Sequence, residues 1–242
     1  MKSLFVTLAV GALVSLGPRA AQATPIGGGP TFDINGTALA LNCDPVSNQC
    51  IGSATQAGLY NLSWDFTLIA DPVLTTSFSL TNLSAVTQTF ILTVTMATVP
   101  VGPSLSITGY NGTGTLTDAN GGGATLTDDG SAIYTALIDF APVQTLRDPA
   151  QLFTVPVNPN GGGGSVPISM ISFGPTALAQ TVNNNVGMRM QFRLTAGDRV
   201  DMQDGFTVTP VTPETVPEPA TLTLLGTGLF AVARRRRAAR RG

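Results

Sequence analysis

With 242 residues, 43% of them hydrophobic and only 11% charged, the chain is long enough for one domain with a sizeable core. It contains no histidine, which removes the commonest general base and transition-metal ligand and excludes Ser-His-Asp, Cys-His and His-zinc chemistry. The formal net charge of −2 conceals a polarised chain: between Thr24 and Val216, thirteen acidic residues stand against four arginines (Arg147, Arg189, Arg193, Arg199) and no lysine, whereas six arginines crowd into 234–241. An acidic central region with scattered cations argues against a nucleic-acid partner, because that affinity depends on clustered Lys and Arg.

At the N-terminus Lys2 supplies a positive n-region, Leu4 to Leu16 an apolar h-region, and Ala21-Gln22-Ala23 an A-x-A cleavage site. The pattern predicts a signal helix within a signal peptide over 1–23, and a mature chain that begins Thr24-Pro25.

Cys43 and Cys50 follow, the only cysteines. Their spacing is not C-x-x-C and no histidine or lysine lies near to lower a thiol pKa. In an oxidising compartment such a pair is predicted to form one local structural disulfide, closing a loop with no other core.

Strand-like alternation then runs through the chain. Apolar residues occupy 60, 62, 64, 66 and 68, and the same period begins at Phe78 and recurs over Phe90–Met96, Leu105–Tyr110, Ile133–Phe140, Met188–Leu194 and Phe206–Val208. Period-two patterning with Thr and Val predicts half-buried antiparallel strands. Between them stand Asn35-Gly36, Asp71-Pro72, Asn111-Gly112, Asn120-Gly121 and Asp129-Gly130, read as turns, with type I′ favoured by Asn-Gly and Asp-Gly. No helical period of useful length occurs outside the two termini. The expected fold over 24–208 is all-β, an antiparallel β-sandwich of jelly-roll or immunoglobulin-like kind. Residues 156–164 read as a long loop, and 209–216, with Pro210 and Pro213, as an extended Pro/Thr stalk.

Two aspartate constellations invite a calcium reading: Asp118-Ala119-Asn120-Gly121 with Asp128-Asp129-Gly130, and Asp198-Arg199-Val200-Asp201-Met202-Gln203-Asp204. Neither follows the D-x-[DN]-x-[DN]-G loop with its distal Glu, so the first pair is read as hairpin turns and the second as an edge turn before the last strand. No metal site, cofactor or catalytic residue is assigned. Glycoside hydrolysis needs two facing carboxylates, and with Glu214 on the stalk only aspartates are left for it. Asn35, Asn61, Asn82 and Asn111 open Asn-x-Ser/Thr sequons.

The last 27 residues have a three-part order: Val216-Pro217-Glu218-Pro219, an apolar run from Ala220 to Ala233, and the arginine block over 234–242. The apolar run would make about 21 Å of helix, short of a hydrocarbon core of about 30 Å. Snorkelling arginines extend its reach at one end, and the positive-inside rule keeps that end cytoplasmic. The segment resembles a PEP-CTERM sorting signal, whose triplet, short hydrophobic helix and basic tail are read together by an exosortase in exopolysaccharide-making Gram-negative bacteria. The resemblance implies that 217–242 is the signal, with Pro217, Glu218 and Pro219 as the triplet and 220–233 as a membrane helix. It makes Arg234, Arg235, Arg236 and Arg237 the cytoplasmic retention block. Leu194-Thr195-Ala196-Gly197-Asp198 also resembles a segment found just upstream of such signals.

The functional expectation is an exported, non-enzymatic surface or extracellular-matrix protein. It is expected to pass through an inner-membrane-tethered precursor to the cell surface or matrix, with an exosortase, the inner membrane and exopolysaccharide as partners. A carbohydrate-binding module is the alternative, though Trp64 sits in an alternating strand and is expected in the core. A secreted hydrolase comes third.

Overall fold

The computed structural model describes residues 29–69, 72–102 and 104–211. The expected signal peptide at 1–23 and the sorting signal at 217–242 lie outside the described residues. Within them every element is a strand. In chain order these are β1 (Thr31–Ile34), β2 (Thr37–Leu39), β3 (Gln49–Gln56), β4 (Tyr60–Ile69), β5 (Val73–Asn82), β6 (Gln88–Ala97), β7 (Leu105–Thr117) and β8 (Ala124–Thr127). The chain continues with β9 (Tyr134–Ile138), β10 (Ala141–Leu146), β11 (Leu152–Val155), β12 (Ser165–Ile168), β13 (Ile171–Leu178), β14 (Asn185–Leu194) and β15 (Arg199–Pro210).

The strands form two antiparallel sheets. An eight-stranded sheet has the order β10-β9-β14-β6-β1-β2, with β11 pairing β8 and β8 pairing the end of β14. A seven-stranded sheet has the order β12-β7-β15-β5-β4-β3, and β13 shares the outer edge of β7 with β12. The chain crosses between sheets repeatedly, from β5 to β6, β6 to β7 and β14 to β15.

Alternation explains the layering. In β4 the residues Tyr60, Leu62, Trp64, Phe66 and Leu68 are buried while Asn61, Ser63 and Asp65 are exposed, as period-two side-chain placement requires. The buried faces of β4, β5 and β15 join those of β1, β6 and β14 in one apolar cluster. Aromatic pairs cross it: Phe32 of β1 meets Trp64 at 5.1 Å and Phe66 at 4.9 Å edge-on, and Phe78 of β5 stacks on Phe192 of β14 at 6.3 Å. Such pairs contribute roughly 0.5–1.5 kcal/mol each beyond the area they bury. The two sheets therefore face one another sandwich-fashion, and Trp64 is a core residue as expected.

The disulfide is present between Cys43 and Cys50. Its loop is less isolated than the sequence suggests, because Cys50 lies on β3 with no exposure and belongs to the core cluster. Other departures share a cause. β7 runs on to Thr117, and Asn111-Gly112, read as a turn, lies in its interior. β15 starts at Arg199 and sits between β7 and β5, so Asp201 and Asp204 belong to a central strand rather than an edge turn. It continues to Pro210, which pairs with Leu105 inside the segment assigned to the stalk. β1 to β3, β8 and β10 to β13 are short, polar or glycine-containing, and their pairing is set by neighbours rather than by their own pattern. Asn35-Gly36 does form the predicted tight turn, with φ of 52° and 76°.

Gly52 pairs with Trp64 and lies beneath its indole, so that a Cβ there would come within 2.4 Å of the ring. Gly52→Val should therefore destabilise the domain by about 2–4 kcal/mol through overpacking and a displaced indole. Chemical denaturation with Trp64 fluorescence as the readout checks this; an unchanged midpoint would refute the packing argument.

Candidate functional site: an open polar groove and a buried polar brace

Because β3, β4, β5, β15 and β7 pair in register, their outward residues line up in rows across the seven-stranded sheet. One row is Ile51, Asp65, Ser77 and Gln203; the next is Ser63, Ser79, Asp201 and Thr115. These rows line an open groove of about 540 Å³. Trp64, Phe78 and Met202 also border it, but their side chains turn inward and are buried. The groove thus offers hydroxyls, an amide and two carboxylates, with Ile51 (61% exposed) as its apolar rim.

Its two charges are already engaged. Gln49 Nε2 donates to both Asp65 oxygens at 2.8 and 3.0 Å. Arg199 donates to Asp201 Oδ1 through Nη2 at 2.6 Å and Nε at 3.0 Å. Asp65 and Asp201 are two strands and two residues apart, or on the order of 12 Å between Cα atoms at ordinary strand spacings. Both groove carboxylates are thus already held by hydrogen bonds from neighbouring side chains.

A second polar cluster is buried between the sheets. Even-numbered residues of β15 point inward from Val200 to Val208, and by that parity Asp204 is placed in the core with no exposure. Opposite it, β7 carries a bulge: Met202 pairs with Gly114 but Asp204 pairs with Asn111. A Cβ on Gly112 would sit 2.3 Å from the Gln203 carbonyl, so the bulge requires glycine there. The Asn-Gly pair serves this close approach instead of a turn. Asn111 Nδ2 donates to Asp204 Oδ1 at 2.5 Å. Arg147, which follows β10 with a φ of 55°, donates through Nε to Asn111 Oδ1 and through Nη2 to the Ser169 carbonyl. Its guanidinium also lies 5.0 Å from the centroid of the Phe153 ring. Tyr134 of β9 donates to the Gly205 carbonyl at 2.9 Å. The brace thus joins one sheet to the other through polar contacts.

Burial pushes the Asp204 carboxyl up to about 7, against the pull of the Asn111 hydrogen bond and the Arg147 charge. Burial, with the nearby Asp204 charge, also raises Tyr134 well above the usual phenol range.

The aspartate turns have structural partners. Asp118 accepts from the amides of Asn120, Gly121 and Gly123 at 3.2, 2.7 and 3.0 Å. Asp128 accepts from Gly130, Ala150 and Gln151, and Asp129 accepts from Gln191. Asp198 is fully buried in the turn after β14 and accepts from Thr195 Oγ1. That turn is secured by Asn82, whose Nδ2 donates to the carbonyls of Val86, Leu194 and Thr195. Leu194-Thr195-Ala196-Gly197-Asp198 is thus a crossover between sheets. Among the sequon asparagines, Asn82 and Asn111 are fully buried and closed to modification, whereas Asn35 and Asn61 are exposed. Sequence reading missed both the brace and the groove, since their members are scattered from 51 to 204. The one available signal was Asp204 on the apolar parity of β15.

Pro217, Glu218, Pro219 and Arg234 to Arg237 lie outside the described residues. Residues 215–237 match the family model of the PEP-CTERM protein-sorting motif. The chain carries that motif at its C-terminus, and the motif implies an exported protein that an exosortase processes at the membrane. No curated protein matches the chain in sequence.

A carboxyl with a raised pKa stabilises the fold fully below its unfolded pKa and loses that contribution as pH rises through the folded one. With an ordinary value of 3.8 and a folded value of about 7, the Asp204 contribution should be present at pH 3.8 and fade by about pH 7. Asp204→Asn should flatten the fall in melting temperature between those limits, a difference of a few kcal/mol. Thermal melts of both proteins across that range test it; parallel curves would show that Asp204 does not titrate there.

Proposed function

We propose that this is an exported, non-enzymatic surface or extracellular-matrix protein whose β-sandwich is delivered by a C-terminal sorting signal and retained at, or released into, an exopolysaccharide layer. The observation that carries this reading is the motif match at 215–237, which spans the Pro217-Glu218-Pro219 triplet, the apolar run and the first four arginines of the tail. In the precursor, the signal peptide at 1–23 directs export, the helix at 220–233 holds the chain in the inner membrane, and Arg234 to Arg237 stay cytoplasmic. Neither Pro217 nor Pro219 can donate a backbone hydrogen bond, and they disfavour helical backbone at Val216 and Glu218, the residues before them. An extended segment just outside the bilayer suits a membrane-embedded processing enzyme.

The non-enzymatic reading is supported by the absence of histidine from the whole sequence. A disulfide in the domain suits an oxidising, extracytoplasmic location. The groove favours one further role, the docking of a neutral polyhydroxyl chain through its serine, threonine and glutamine side chains. Its lining lacks an outward aromatic platform, so contact there would rest on hydrogen bonds alone and be weak.

Intact mass of the protein from its native host, together with its cell fraction, is the decisive experiment. The expected species begins at Thr24 and ends near Pro217–Pro219; a mass that retains Arg234–Gly242 would make the chain a standing membrane protein and defeat the sorting reading. Replacing Arg234, Arg235, Arg236 and Arg237 by Ser should leave unprocessed or misfractionated precursor, and unchanged processing would count against the retention role. For the groove, a labelled neutral polysaccharide should bind the parent, with binding lost when Ser77→Ala and Ser79→Ala together remove the hydroxyls from the middle of the rows. Equal binding by both would place the contact elsewhere.

A further inference from the structure

The hairpin between β9 and β10 has a two-residue loop, Asp139-Phe140, with φ of 50° and 64°. Both residues are left-handed, as in a type I′ turn, where glycine or asparagine is the usual choice. A left-handed phenylalanine costs roughly 1–2 kcal/mol. Nothing in the packing requires the ring, which is 68% exposed. The turn is nevertheless clamped: Asp139 accepts from the backbone amides of Asn183, Asn184 and Asn185 at 2.9, 2.7 and 3.0 Å and from Asn183 Nδ2 at 3.0 Å. The fold holds an exposed aromatic ring in a strained position.

The registers show where this tip lies. Ile138 pairs with Val186 at the start of β14, whose Asn185 pairs with Ala97 at the end of β6. The segments 98–104 and 179–184 cross between sheets at that same end, joined by Val101 and Val182. There β7 begins, with Leu105 paired to Pro210, and the chain leaves the domain at Val211, itself 46% exposed. Phe140 and the exit of the chain therefore share one end of the sandwich.

Only eight residues, 212–219, lie between Val211 and Ala220, and the nine Cα steps span at most about 30 Å when fully extended. A ten-residue strand such as β14 is about 33 Å long. A helix held in the bilayer from Ala220 onward thus limits this end to about 30 Å from the lipid, about half the reach open to the opposite end. We propose that, in the unprocessed protein, the exit end of the sandwich faces the bilayer and the Asp139-Phe140 tip seats its ring in the lipid headgroup–acyl boundary. The proposal rests on the membrane-helix reading of 220–233. An apolar ring at a tight tip is suited to shallow insertion, and one ring on a tethered domain orients it without anchoring it. Release of the C-terminal helix removes the tether and with it the local concentration that holds the ring in place.

The test uses the full chain in phosphatidylcholine vesicles, with and without bromine on the acyl chains. Trp64 is the only native tryptophan and is 5% exposed, so it provides an internal reference. Phe140→Trp should show a blue-shifted added emission that brominated lipid quenches. Val86→Trp, at the opposite end and 59% exposed in the parent, should show neither change. Quenching at 86 but not 140, or at neither position while the protein floats with vesicles, would overturn the orientation. A blue shift at 140 that grows with protein concentration in the absence of lipid would reassign the ring to a second copy of the chain. Failure to float at all would remove the membrane-helix reading first, and this one with it.

Discussion

The structure depends on the burial of two apolar sheet faces against one another. Neither sheet has a helix to cover it among the described residues, so each supplies the other's solvent-excluded surface. That constraint sets the alternation of β4 and β5, of β15 apart from Gly205, and of the second half of β14. It also gathers the aromatic residues at the interface, where Phe32 of β1 meets Trp64 and Phe66 of β4 across the two sheets. Once these faces close, the outward residues of the same strands must form rows, and the groove of hydroxyls and carboxylates on the seven-stranded sheet is the geometric complement of the core beneath it.

Burial also makes polar exceptions expensive. Asp204, Asn111 and Arg147 are buried in the same sandwich, and each depends on the others for hydrogen bonds or charge. A buried polar set of this kind contributes little net stability and much register, since a slip of one residue leaves a charge in hydrocarbon without partners. The bulge on β7 and the left-handed Arg147 are local distortions that complete the set. Asn82 has the same role at the far end, where a single amide holds both the β5–β6 turn and the β14–β15 crossover.

Much of this was legible along the chain. β4 and β6 were visible because five and four alternating apolar side chains cannot be placed on one face by any other regular backbone. The cysteine pair was legible because no second partner exists for either thiol. Asn111-Gly112 misled, because the dipeptide that favours a turn also suits a bulge where another backbone comes close; only the approach of the Gln203 carbonyl distinguishes the two. Asp198 to Asp204 misled because charge density reads as surface, whereas parity along β15 turns Asp201 outward and Asp204 inward. The groove was not legible at all, since its rows combine residues from five strands whose register is set by pairing and not by local sequence.

By itself, the sequence determined the all-β character, the core parity of the long strands, the disulfide and the sorting motif at 215–237. These are properties of local pattern or of a contiguous segment, and they need no long-range contact to be read. The tertiary structure alone decided which aspartate is buried, which asparagines are closed to modification, how the groove rows align, and that Phe140 shares an end with the exit of the chain. Each of these depends on which strands become neighbours, and strand partners far apart in sequence are chosen by the collective burial of two faces rather than by any one strand.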